Sequence, residues 1–182
     1  MPVRRARLLV LGLTVLALLL TVDALADHQR RQRRHQRDGE HCLPPVSSPL
    51  YRTECGACHF ADPPGLLPAA SWRGLLQKLP EHFGERVELA PAARQELEGH
   101  LAANAADRCG ARLAGKIMAS LGGQAPLRVS QVPYLIHQHQ DDDLPADAFR
   151  RPGVGSLANC AACHTGAEQG DFNQRRVRIP PR

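Results

Sequence analysis

One short pattern occurs twice and constrains everything else: "ECGACH" at 54–59 and "NCAACH" at 159–164. Each copy sets two cysteines three positions apart and follows the second with a histidine: Cys55, Cys58 and His59, then Cys160, Cys163 and His164. Thioredoxin-type exchange expects such a pair at a strand-to-helix junction in a βαβ context, and strand signals in this chain are sparse. Zinc needs four ligands in a tetrahedral array. The two Cys pairs could supply them, but the separation between the pairs is far longer than compact zinc modules use. Neither chemistry explains the histidine. Covalent haem attachment does: two thiols reach the two vinyl groups of one porphyrin as thioethers, and the next histidine lies beneath the iron as axial ligand. Two complete motifs imply two covalently attached c-type haems.

Composition points the same way. Aromatic residues make up 4% of the 182 residues, with one Trp, two Tyr and four Phe, against 15 Gly and 15 Pro. A small domain so poor in large apolar side chains struggles to offset its conformational entropy and recruits disulfides, a metal or a cofactor. Two flat apolar porphyrins fill that need. Cys42 and Cys109 stand outside the motifs, and either a disulfide in an oxidising compartment or two unpaired buried thiols fits the sequence.

The first 26 residues read as a secretory signal: Arg4, Arg5 and Arg7, an apolar run, then Ala24-Leu25-Ala26 as a small-residue cleavage site. The apolar run is short for a membrane span. A basic leader expected to be disordered follows at 27–43, rich in arginine and containing His28, His35 and His41. The formal charge of +5 comes largely from these two segments. No basic stripe interleaved with aromatics is present, so nucleic acid is excluded as a partner. The signal implies a periplasmic protein.

The body reads as mostly helical with long irregular connections. A helix capped by Ser47 or Ser48 delivers the first motif, and a Pro/Gly-rich loop, "FADPPGLLPAA", follows. Ser71 is expected to cap the next helix. Pro91 opens another, with Ala93, Leu97 and Leu101 on one face. Further helices are expected over "ARLAGKIMASL", broken at Gly122-Gly123, and after Ser130; a last one, "SLANCAACH", repeats the helix-into-motif arrangement. With a hinge near 107–127, the expected division is a first haem domain at 44–109 and a second at 110–182.

The sixth ligand decides what the irons can do. Once the signal is removed Met118 is the one methionine left, and its helix gives it a core position; histidines are plentiful. Bis-histidine ligation at both irons is the economical reading, and it favours low potentials. His82 follows Pro80-Glu81 at a helix exit. His100 reads as a solvated side chain on a helix. His137 and His139 are two apart, so on a helix they point in different directions, and spacing alone does not choose between them.

The segments "YRTECGACHFADPPGLLPAASW", "EHFGE", "PLRVSQVPYLIHQH" and "NCAACHTGAEQGDFNQRRVRIP" together resemble the small bacterial dihaem cytochrome c family called DHC. The resemblance covers most of Pro44 to Pro180. It implies two histidine ligands on each haem, with His82 as the distal ligand of the first and His139 of the second, His137 being the reserve. Asp62 stands where the family pattern has an aromatic residue. The resemblance further implies a monomeric electron carrier passing electrons to a small monohaem oxygen-binding cytochrome c, fed by a membrane cytochrome b. Its first domain would resemble a class I cytochrome c and its second would be short and irregular.

Two six-coordinate haems leave no iron position for a substrate, so the expectation is electron transfer without catalysis. The rival is a haem enzyme or ligand binder reducing peroxide or nitrogen oxides at one open or labile iron; a gas sensor lacks an output domain. Asp141-Asp142-Asp143, beside the second distal histidine, reads as a solvated loop or as an acidic docking spot.

Overall fold

The computed structural model describes residues 43–140 and 144–182, together with Leu25 and Gln29. Most of the expected signal at 1–26 and of the leader, with Cys42 and Asp141–Asp143, lies outside the described residues. Leu25 and Gln29 are helical and belong to a unit of their own, Met1–Gly39. Everything below concerns the second unit, Glu40–Arg182. Within its described residues there are five α-helices joined by short 3-10 turns and loops, and the β pairing is one isolated bridge, His82 to Glu85.

Helix α1 (Pro49–Gly56) starts where Ser48 Oγ accepts the Tyr51 N–H at 3.1 Å, with Pro49 in the first turn where a missing N–H costs nothing. Helix α2 (Ala69–Gln77) begins three residues earlier than expected. Ser71 is not its cap but a buried residue inside it, and Pro68 holds the cap position. The free N–H of Ala69 instead donates to Asp107 Oδ1 at 2.8 Å, a carboxylate brought from beyond the next helix to the positive end of this one. Helix α3 (Pro91–Asn104) turns Leu97 and Leu101 inward, as the spacing predicts.

Helix α4 (Arg112–Leu121) ends at Gly122, whose φ of 54° is the left-handed conformation of a glycine stop. It lies within the segment read as a hinge. Its Leu113, Ala114, Ile117 and Leu121 are buried in one continuous core with Leu97, Leu101 and Trp72, so packing runs across residues 109 and 110. Met118 packs against this core from its edge, as expected. Helix α5 (Pro133–Gln138) is not capped by Ser130; Tyr134 N–H donates to Ser120 Oγ of α4 at 3.2 Å.

The expected helix over "SLANCAACH" is a single 3-10 turn, Cys160–Ala162. Asn159 explains part of the difference, because its side chain donates back to the Val154 carbonyl at 3.0 Å, a local bond that competes with helix formation. Beyond α5 polar staples do much of the holding. Arg151 donates to Pro180 O at 2.7 Å and to Asp147 at 3.1 Å, Arg182 donates to Asp147 at 2.8 Å, and Arg178 N–H donates to the Cys163 carbonyl at 2.9 Å. The two guanidinium groups hold the Asp147 carboxyl down to about 2.

The described residues of this unit start at Leu43, one before Pro44 and inside the expected leader. Leu43 is buried, and its N–H donates to the Gly170 carbonyl at 2.8 Å. Gly170 is left-handed, at φ 75°, and a Cβ on it would stand 2.0 Å from the Leu43 carbonyl oxygen. Gly170→Ala is therefore expected to break this closure. A loss of about 2 kcal/mol or more, read as a fall of roughly 5 °C or more in Tm, is the predicted outcome; an unchanged Tm would show that the contact is dispensable.

Candidate haem sites

The first motif leaves the end of α1. Cys55 lies half-buried in that helix, and Cys58 and His59 follow in the exposed turn. His59 Nδ1 is 2.7 Å from the Phe60 carbonyl oxygen, so Nδ1 carries the proton and Nε2 keeps its lone pair for a metal. His82 comes to it from the far end of α2, after a 3-10 turn, Leu79–Glu81. The chain reverses there through Phe83 at φ 54° and Gly84 at φ 106°, closed by His82 N–H on Glu85 O at 2.7 Å. A left-handed phenylalanine is a costly conformation. The Arg128 guanidinium, 3.7 Å over the Phe83 ring, helps to hold it.

The rings of His59 and His82 are 6.2 Å apart, centre to centre, with planes 16° from parallel. An imidazole nitrogen binds a metal at about 2 Å and its ring centre lies ~1 Å further out, so two rings on opposite sides of one metal have centres about 6 Å apart. Burial, His59 and Arg128 lower the pKa of His82, which favours the neutral, metal-binding form.

The second pair repeats the geometry on different supports. His139 sits at the C-terminal end of α5, and its Nδ1 is 2.7 Å from the Leu135 carbonyl oxygen, again leaving Nε2 free. His164 closes the second motif, and the two ring centres are 6.0 Å apart with planes at 75°. Burial first, and His139 second, push His164 down to about 4, against the opposing pull of Asp171. His137 is exposed on the other side of α5 and takes no part.

The two pairs are ringed by the chain's few aromatics. Phe83 lies 4.8 Å from His82, Phe149 6.0 Å from His139 and Phe172 5.5 Å from His164. Phe149 and Phe172 carry no sequence signal beyond being apolar residues in loops. The expectation of a solvated His100 is not met. His100 is half-buried, its Nε2 is enclosed without a partner, and its ring lies 6.1 Å from Tyr51.

Among the described residues no three His, Cys, Asp or Glu side chains gather to hold a bare metal ion. Each pair offers two nitrogens, and the remaining ligands have to come with the metal. The thiols do not suit redox exchange, which needs a low thiol pKa. Burial pushes Cys55 up to about 11 and Cys160 up to about 12.

A model of the dihaem cytochrome c family matches residues 51–172. The chain belongs to the dihaem cytochrome c family. It is similar to a solved diheme cytochrome c from Rhodobacter sphaeroides at 44% identity and a TM-score of 0.60, over 72% of this chain and 99% of that one. A diheme cytochrome c from Shewanella baltica OS155 matches at 32% identity and a TM-score of 0.58, covering 72% and 92%. No curated protein matches. As a dihaem cytochrome c the protein carries two covalently attached haem c groups, and the two histidine pairs fit them: each pair has the span of one iron and a Cys-x-x-Cys alongside.

Both haems should stay on the chain through denaturation and acid extraction. Cys163→Ala would leave the second haem a single thioether, so half of the alkaline pyridine haemochrome band should move to the position of a haem with one free vinyl group. A band identical to the parent's would remove Cys163 from the attachment site.

Proposed function

We propose that this dihaem cytochrome c is a low-potential electron carrier in the periplasm, with His59 and His82 on the first iron and His164 and His139 on the second. Cys55 and Cys58 would attach the first haem, Cys160 and Cys163 the second. The observation that carries this reading is the span of the two imidazole pairs, 6.2 and 6.0 Å. An iron held on both sides would have no position for substrate, and the haem would supply one-electron chemistry only. The porphyrins supply the redox chemistry. The chain fixes the imidazole tautomers through the Phe60 and Leu135 carbonyls and packs phenylalanines around the ligands. Nitrogen ligands on both sides favour a lower potential than a methionine sulfur does, and Met118 is engaged with the core instead.

The partners that fit are other one-electron proteins: a small monohaem oxygen-binding cytochrome c as acceptor and a membrane cytochrome b as donor. The N-terminal signal supports the location, and the exported protein should begin at Asp27.

Carbon monoxide tests the ligand assignment. The dithionite-reduced protein is expected to keep sharp low-spin bands when the gas is added; a shift of half the Soret band would put the enzyme or ligand-binding reading first. His82→Ala and His139→Ala should each open one haem to the gas, whereas His137→Ala should change nothing. The ring planes add an independent check. The ferric protein should show two different low-spin electron paramagnetic resonance signals, a rhombic one from the near-parallel first pair and a strongly anisotropic one from the crossed second pair.

A further inference from the structure

Asp62 is a carboxylate in the wrong kind of place. It lies in the loop after the first motif. Its Oδ1 is enclosed and has no hydrogen-bond partner. The loop cannot swing it out easily. Tyr51, itself buried, donates its hydroxyl to the Asp62 carbonyl at 2.9 Å, and Trp72 Nε1 donates to the Pro64 carbonyl at 2.8 Å. Pro63 and Pro64 between those two points are buried.

Tyr51 on α1 bonds the Asp62 backbone, and the Asp62 carboxyl interacts electrostatically with Tyr51, with His59 of the first motif and with Cys160 of the second. Phe60 and Ala61 separate it from His59, which commits its Nδ1 to the Phe60 carbonyl. Two of the three neighbours, the phenol and the thiol, are neutral at neutral pH, and the thiol becomes a thioether once haem is attached. A negative charge three residues from His59, with one oxygen enclosed, would stabilise the ferric state of a haem held there, because little solvent screens it.

We propose that Asp62 is a redox-linked proton acceptor beside the first haem-attachment motif, so that electron uptake by the protein is coupled to proton uptake at this carboxyl. The step balances simply. A one-electron donor protein reduces one ferric haem to ferrous, and the Asp62 carboxylate takes one proton from water to become the acid. Reoxidation returns the electron to the acceptor and the proton to solvent. Burial already raises the Asp62 carboxyl to about 7, with His59 opposing, so the proton exchanges in the neutral range. The sign follows. Below that value the acid is neutral and reduction is easier; as pH rises through it the charge appears and the ferric state gains.

This inference rests on the carrier reading, and the experiment separates the two. Midpoint potentials of the haem-loaded protein are measured by spectroelectrochemistry from about pH 5 to about pH 9. At least one midpoint should fall as pH rises, with the reduction equilibrium changing by up to about tenfold per pH unit. In Asp62→Asn the slope should vanish, and the midpoint should stay at the wild-type acid-side value. Flat wild-type midpoints, or an unchanged slope in Asp62→Asn that assigns the proton to the haem propionates, would overturn the proposal while leaving a carrier insensitive to carbon monoxide intact. If Asp62→Asn fails to take up both haems, the wild-type redox infrared difference spectrum decides. A carboxylic acid C=O band that appears on reduction and shifts with isotope-labelled aspartate supports the proposal, and its absence defeats it.

Discussion

Two imidazoles facing one iron must hold their ring centres about 6 Å apart, and much of the architecture serves that span at two places. At the first, the turn after α1 carries His59 and a strained turn after α2 carries His82. At the second, a 3-10 turn and the end of α5 do the same. The helices are short, and several of their ends are satisfied by side chains from elsewhere, Asp107 for α2 and Ser120 for α5. Secondary structure here depends on tertiary contacts more than on local propensity.

The scarcity of aromatics also finds its place. All four phenylalanines adjoin the histidine pairs, Phe60 through its carbonyl and the other three through their rings. The rest of the core is built from Leu, Ala, Ile and Val around one Trp and one Tyr. Large apolar side chains are concentrated where a flat cofactor has to be seated, and the remaining core is made of smaller residues that short helices can interleave.

The haem motifs, the helical class and the starts of α1 and α3 were legible because each rests on local chemistry: Cys-x-x-Cys-His, Ser48 as a cap, Pro91 in a first turn. The start of α2 was not, since its cap is Asp107, distant in sequence and invisible to a local rule. The single turn at Cys160 was misread as a helix because a repeated motif suggested a repeated support, whereas Asn159 bonds backwards. His139 could not be told from His137 by spacing. The structure bonds the His139 ring to the Leu135 carbonyl and sets it across from His164, while His137 is exposed. Phe149, Phe172 and the enclosure of His100 depend wholly on packing between distant segments.

The bond from Leu43 to Gly170 ties the first described residue of the packed unit to the segment just after the second haem motif. A chain synthesised from its N-terminus cannot form that bond until nearly its whole length exists. The closing contact is also non-local, and such contacts form late because their loop entropy comes first. The first Cys-x-x-Cys-His is thus made on a chain still open at the seam. The left-handed glycine at that seam acts as the clasp of a ring fastened last.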